Sequence, residues 1–223
     1  MKFTAVAFDL DGTLYHDFRL FVRLIPFLLK HQRLLRAMSR ARNVLRETEA
    51  YEGDFYATQA RLMGEYLGEP TEKVLEKTER LIYRGWEPYF RDIRLFPHVK
   101  ETLENFRKAG INMGLLSDFP PETKLVHMKL EGYFETTLCS EVSGRLKPDT
   151  LPFLELAAKM KAEPESILYV GNSVSYDVKG ARRAGMKTAL VCSAWKRLLG
   201  AGKKAGADFC FSDYRQLNDY VLT

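Results

Sequence analysis

From Phe96-Pro97 onward the sequence alternates helix-like stretches with short apolar runs, and this alternation restricts the fold more than any other feature. His98 to Ala109 has helical periodicity and ends at Gly110, a residue suited to the left-handed position after a helix. Ile111 to Leu116 then reads as a buried strand. The pattern returns with a helix near Thr150 to Met160, a strand at Ile167-Leu168-Tyr169-Val170, a helix through Ala181 to Ala184, Gly185 and a strand at Thr188 to Val191. Short apolar strands separated by helices imply a parallel sheet covered on both faces. The expected class is therefore α/β, with a Rossmann-like parallel-sheet core.

The amino-terminal part has a different texture. Phe3 to Phe8 is an apolar run of strand length, closed by Asp9-Leu10-Asp11-Gly12. From Tyr15 to Asp92 apolar residues recur three and four apart, as in Leu20, Leu24, Phe27 and Leu28, and strand-like runs are absent. That stretch reads as helical, with Pro26 as a break or kink. The first strand joins the later sheet only if the helical stretch is an insertion. The expected division is a core of residues 1–14 and 96–223 and an inserted helical domain of residues 15–95. A chain of 223 residues, 46% of them hydrophobic, has enough apolar mass for such a core.

In an open parallel sheet, ligands gather beyond the carboxyl ends of the strands, so the polar residues that follow each strand are the candidates for chemistry. Asp9, Asp11 and Thr13 follow the first strand, and Ser117 and Asp118 the second. Gly171, Asn172 and Ser173 follow Ile167 to Val170, with Asp177 one helical turn further on. Lys147 stands just before Pro148 and a helix. Each cluster alone has a plainer reading: Asp11-Gly12 as a turn, Ser117-Asp118 or Asn172-Ser173 as helix caps, Lys147 as a solvated charge. Carboxylates, a hydroxyl, an ammonium and a carboxamide converging on one sheet edge are harder to explain that way.

Taken in order, these residues resemble the four motifs of the haloacid dehalogenase-like hydrolases. Asp9-Leu10-Asp11-Gly12-Thr13 is similar to the family's DxDGT, and Ser117 falls where its second motif has Ser or Thr. Lys147-Pro148-Asp149 matches the third motif, and Gly171 to Asp177 resembles the fourth, GDxxxxD. Residues 15–95 lie where this family inserts a C1-type helical cap.

The resemblance implies a Mg²⁺-dependent phosphatase acting through an aspartyl-phosphate. It makes Asp9 the nucleophile and Asp11 the general acid and base, with Ser117 and Lys147 on the phosphoryl group. It assigns the Mg²⁺ ion to Asp9, Asp11 (through its backbone carbonyl), Asn172 and Asp177. Dehalogenases of the family lack the second acid, because a halide leaves without a proton, so Asp11 argues for a phosphate ester. Asn172 departs from the pattern, which has Asp there; a carboxamide oxygen can ligate Mg²⁺, but one negative charge is lost. A phosphomutase with the same core residues, or a weakly catalytic binding protein, stays open as an alternative.

Other motifs fail on their own terms. Gly171-Asn172-Ser173-Val174-Ser175 nearly matches a nucleophile elbow, but no histidine follows it; His16, His31, His98 and His127 all precede it. The Asp-rich start is no EF-hand, since Leu20 stands where Glu is needed. Gly200 to Ala205 fits a loose G-x-G-x-x-A but follows a helix.

Between Arg19 and Arg46 there are eight basic residues and no acidic one, read as a solvated helix face or as an attractor of an anionic substrate. Arg19, Tyr51, Arg84 and Trp86 have no assigned role. A net charge of +5 does not suggest nucleic-acid binding. Three separated cysteines, no secretory h-region at Met1 to Thr4 and no long apolar span suggest a cytoplasmic protein off the membrane, acting on a small phosphorylated metabolite.

Overall fold

The structure is a computed structural model that describes residues 3–48 and 53–223. The first strand, β1 (Ala5–Phe8), lies in the middle of a sheet assembled from residues far along the chain. Four helices follow it: α1 (Asp17–Lys30), α2 (Gln32–Glu47), α3 (Phe55–Leu67) and α4 (Thr71–Thr78). A π turn at Glu79–Tyr83 and a 3₁₀ turn at Glu87–Asp92 complete this segment. The rest alternates α5 (Val99–Lys108), β2 (Asn112–Ser117), α6 (Glu122–Met128), β3 (Thr136–Cys139), α7 (Leu151–Lys159), β4 (Ile167–Gly171) and α8 (Lys179–Arg183). It ends with β5 (Lys187–Val191), α9 (Ala194–Leu198), α10 (Ala201–Ala205), β6 (Phe209–Phe211) and α11 (Tyr214–Leu222).

All strand pairings are parallel and the order is β3-β2-β1-β4-β5-β6. The α/β expectation is therefore met. The side-chain period of two explains how the sheet is sealed on both faces. Val6, Phe8, Leu168 and Val170 enter one core cluster, while Ala5, Ala7, Ile167 and Tyr169 enter the other. Strands covered on both faces must be apolar throughout, which is why β1 and β4 read as unbroken hydrophobic runs. β3 and β6 are short, flanking strands with little of that signature, and the sequence reading does not contain them.

The helical segment has its own core, with Leu34, Met38, Met63, Val74 and Ile82 buried together. Pro26 does not break it as expected. The proline lies inside α1, which runs on to Lys30, and the chain turns at His31 instead. Pro26 is solvent-exposed, so the carbonyl left without its helical donor can be met by water. α1 turns Leu24 inward, whereas Phe18, Val22, Ile25 and Leu29 are exposed.

The chain leaves the sheet and returns to it at adjacent points. Tyr15 bridges Leu95, and the Phe96 N–H donates to the Leu14 carbonyl at 2.9 Å. Cys192 and Cys210, distant in sequence, meet as free thiols with sulfurs 2.9 Å apart. No helix among the described residues is long and apolar enough to cross a membrane.

Candidate active site

The strand order reverses between β1 and β4, and a crevice opens at the carboxyl ends of two parallel strands whose connections run in opposite directions. Phe8 is in register with Leu115 of β2 and Val170 of β4, so Asp9, Ser117 and Asn172 come off three adjacent strands at nearly one level. The Asp9 N–H continues the ladder, donating to the Val170 carbonyl at 2.9 Å. Gly12 then takes φ 77°, the left-handed conformation that turns the chain away from the sheet.

Lys147 ties the crevice together. Its ammonium donates to Asp9 Oδ1 at 2.6 Å and to Asp177 Oδ1 at 2.8 Å, and all three residues are buried. Thr13 Oγ1 donates to the other Asp9 oxygen at 2.6 Å. The second Asp177 oxygen accepts the backbone N–H groups of Asn172 (3.2 Å) and Ser173 (2.9 Å). This return of Asp177 onto the end of β4 requires Gly171, where a Cβ would lie 2.4 Å from the Asp177 Cβ.

Two carboxylates share one ammonium, which leaves a surplus negative charge in a buried place. Burial pushes the Asp9 carboxyl up to about 7, with Lys147 opposing and Asp177 and Asp11 adding to the rise. Lys147 is driven the other way. Burial disfavours its charge, but Asp177 and Asp9 outweigh that and hold it well above its ordinary value. The lysine is charged, and the site has a residual demand for another cation. Its donors are hard oxygens from one or two carboxylates, a carbonyl and a carboxamide, which suits Mg²⁺ retaining several waters. Among the described residues no three His, Cys, Asp or Glu side chains are grouped so as to hold a metal ion by themselves. The Asn172 side chain is exposed and its carboxamide makes no hydrogen bond among the described residues.

Asp11 is separated from this triad. Lys124, on α6, donates to both of its carboxylate oxygens, at 2.6 and 2.7 Å, and the Tyr15 hydroxyl donates to Oδ1. Ser117 is buried at the end of β2, and its Oγ accepts the Phe119 N–H at 3.2 Å.

Lys124 is absent from the sequence expectations, and Asp118 enters them only as a strand-end candidate with no role assigned. Asp118 accepts from Ser140 Oγ (2.6 Å), the Lys147 N–H (3.2 Å) and Arg46 (2.9 Å). Burial works to raise Asp118, but Lys147, Arg42 and Arg46 around it hold it below the usual carboxylate range. Nothing in the local sequence marks Lys124, seven residues past Ser117 on a short helix; Asp118 is legible as a strand-end polar residue or a helix cap.

The basic stretch is not a uniform solvated face. Arg42 is buried, pairs with Glu141, donates to the Asp118 carbonyl at 3.0 Å and lies 4.1 Å from the Phe119 ring centre. Arg33, Arg36 and Arg40 remain exposed. The helical segment is thus pinned to the sheet by side chains that the sequence pattern assigned to solvent. Arg84 is exposed and pairs with Glu79, and Trp86 lines the cavity over Asp11. Tyr51 lies outside the described residues, and Arg19 is described in its backbone only.

A family model for haloacid dehalogenase-like hydrolases matches residues 3–185. The chain is 27% identical over 201 residues to a glyceraldehyde 3-phosphate phosphatase of Methanopyrus kandleri, covering 82% of each protein. It is 28% identical over 202 residues to a phosphoglycolate phosphatase of Salmonella typhi, covering 81% of this chain and 77% of that one. Among solved structures, it is similar in fold to a phosphatase of this family from Thermococcus onnurineus, with TM-score 0.64, 21% identity and 98% of each chain covered. The L-2-haloacid dehalogenase of Xanthobacter autotrophicus is as similar in fold, with TM-score 0.67, 18% identity and 98% of each chain covered.

Proposed function

This chain belongs to the haloacid dehalogenase-like hydrolases, and from that premise we propose that it is a Mg²⁺-dependent phosphatase of a small phosphomonoester. The observation that carries the reading is the second acid. Asp11 is held by Lys124 and Tyr15 at the floor of a cavity, apart from the Asp9–Lys147–Asp177 triad. A carbon–halogen bond needs no proton donor there, whereas an alkoxide does. Relatives named for glyceraldehyde 3-phosphate and phosphoglycolate support the same class.

In this reading Asp9 attacks phosphorus, forming an oxygen–phosphorus bond as the ester oxygen leaves with a proton from Asp11. A water then attacks the acyl-phosphate, its proton returning to Asp11, and inorganic phosphate departs with Asp9 restored. Lys147 sits beside the attacking oxygen, where its charge offsets that of the phosphoryl group. Ser117 Oγ accepts from Phe119 and keeps its own proton to donate to a phosphoryl oxygen. Mg²⁺ held by Asp9, the Asp11 carbonyl, Asn172 and Asp177 would supply the remaining positive charge. Residues 15–95 act as a cap over the site; the adjacent crossings at Tyr15 and Leu95 suit a hinge.

The test is release of inorganic phosphate from a phosphomonoester with Mg²⁺, set beside halide release from 2-chloropropionate. Phosphate release that is lost in Asp9→Asn supports the reading. Halide release without phosphate release would overturn it.

A further inference from the structure

Between the helical segment and the sheet lies a cavity of about 640 Å³, a size that holds a drug-like organic molecule. Asp11 and Lys124 form part of its lining, whereas Asp9 does not. It therefore meets the catalytic residues on the side where the leaving alcohol takes its proton. Its walls are apolar and aromatic: Phe21 and Leu24 from α1, Ile82, Trp86 and Phe90 from the turns beyond α4, and Phe119 from the sheet side. Phe119 packs with Tyr83 and Trp86 at ring separations of 6.3 and 6.4 Å.

The lining offers no uncommitted cation to a second anionic group on the substrate. Asp11, Glu79 and Glu87 face two cations, Arg84 and Lys124. Lys124 is committed to both oxygens of Asp11. Arg84 is paired with Glu79 at 2.8 Å, and its side chain is 75% exposed. A substrate carboxylate would be desolvated here with both cations already committed, and a polyol would find few open partners in the wall, chiefly Thr123 and the unpartnered Trp86 Nε1.

Resting on the phosphatase reading above, we infer that the preferred substrate is the phosphomonoester of an uncharged apolar alcohol, with an aromatic or branched aliphatic body. That body fills the cavity while the phosphoryl group reaches Asp9. Cleavage then consumes one water and yields inorganic phosphate and a neutral alcohol, which leaves through the apolar chamber without a charge to desolvate.

The experiment compares substrates with similarly unactivated alkoxide leaving groups: 2-phenylethyl phosphate against 2-phosphoglycolate and glyceraldehyde 3-phosphate. We expect kcat/KM to favour 2-phenylethyl phosphate by about tenfold or more, the scale on which apolar pockets discriminate. Calorimetry on the unmodified protein supplies a readout that needs no turnover, with 3-phenylpropylphosphonate expected to bind at least about tenfold more tightly than 3-phosphonopropionate. Phe21→Arg is the matching variant; Phe21 is 56% exposed, so the fold should tolerate it. It places an unpaired cation in the wall and should cut both ratios by about tenfold. Equal or reversed preferences in the unmodified protein, or ratios unmoved by Phe21→Arg, would overturn the inference. If no ester is cleaved but the phosphonate preference holds, the phosphatase reading fails and the cavity assignment stands.

Discussion

Lys124 lies 2.6 and 2.7 Å from the two carboxylate oxygens of Asp11, although the residues are 113 positions apart. In the proposed reaction Asp11 passes the proton to the leaving oxygen, and Lys124 would orient that carboxylate. Lys124→Met should therefore lower kcat for alkyl phosphates by roughly 10²-fold, the low end of a general acid's contribution. p-Nitrophenyl phosphate, whose leaving group needs little protonation, should lose far less. A uniform loss across both substrates would show that Lys124 matters to folding and not to Asp11.

Asp9 is the nucleophile in the proposed reaction, and Asp9→Asn should leave no measurable turnover. A second effect follows from its burial. Its carboxyl is raised to about 7 in the folded protein, above the ordinary carboxylate value, so the folded state holds its proton more firmly than the unfolded chain does. The stability this contributes is complete below the unfolded value and is lost as pH rises through about 7. In EDTA, thermal scans from pH 5 to pH 8 should show a decline that Asp9→Asn makes shallower.

Asn172 brings a carboxamide where the family pattern has a carboxylate. Asn172→Asp should lower the Mg²⁺ concentration that gives half-maximal activity, by adding a charge to a hard-oxygen site. An unchanged titration would remove residue 172 from the ligand set.

Arg42 and Glu141 form a buried pair across the joint between helices and sheet, and Tyr83 donates to the same carboxylate at 3.0 Å. Burial pushes the Glu141 carboxyl up, with Arg42 opposing. Arg42→Met leaves that acid without its cation and should cost about 3–5 kcal/mol in urea unfolding. The double variant Arg42→Met with Glu141→Gln should recover part of the loss, since the uncompensated charge goes with it.

Gly171→Ala should damage the site without removing a polar group. The new Cβ would stand 2.4 Å from the Asp177 Cβ and 2.6 Å from its Oδ2, and that side chain is buried with little room to give. We expect a loss of about 1–3 kcal/mol in stability, as for other overpacked positions. Activity should fall with it, as Asp177 is displaced from Lys147.

The sequence alone determined four of the sheet's six strands and the line of polar residues along its edge. Strands buried on both faces are apolar along most of their length, so the central stretches of β1, β2, β4 and β5 announce themselves. A parallel sheet gathers chemistry at strand ends, so Asp9, Asp11, Ser117, Asn172 and Asp177 could be named from where they fall. Lys147 could be named from its motif. Only the tertiary structure decided which of these groups share charge. Lys147 between Asp9 and Asp177, Lys124 on Asp11, and Arg42 and Arg46 turned onto Asp118 and Glu141 are contacts between segments tens to more than a hundred residues apart. A lysine bound for a buried carboxylate and one bound for water look the same in a local window. The difference is made by desolvation, which exists only once the chain has closed around them.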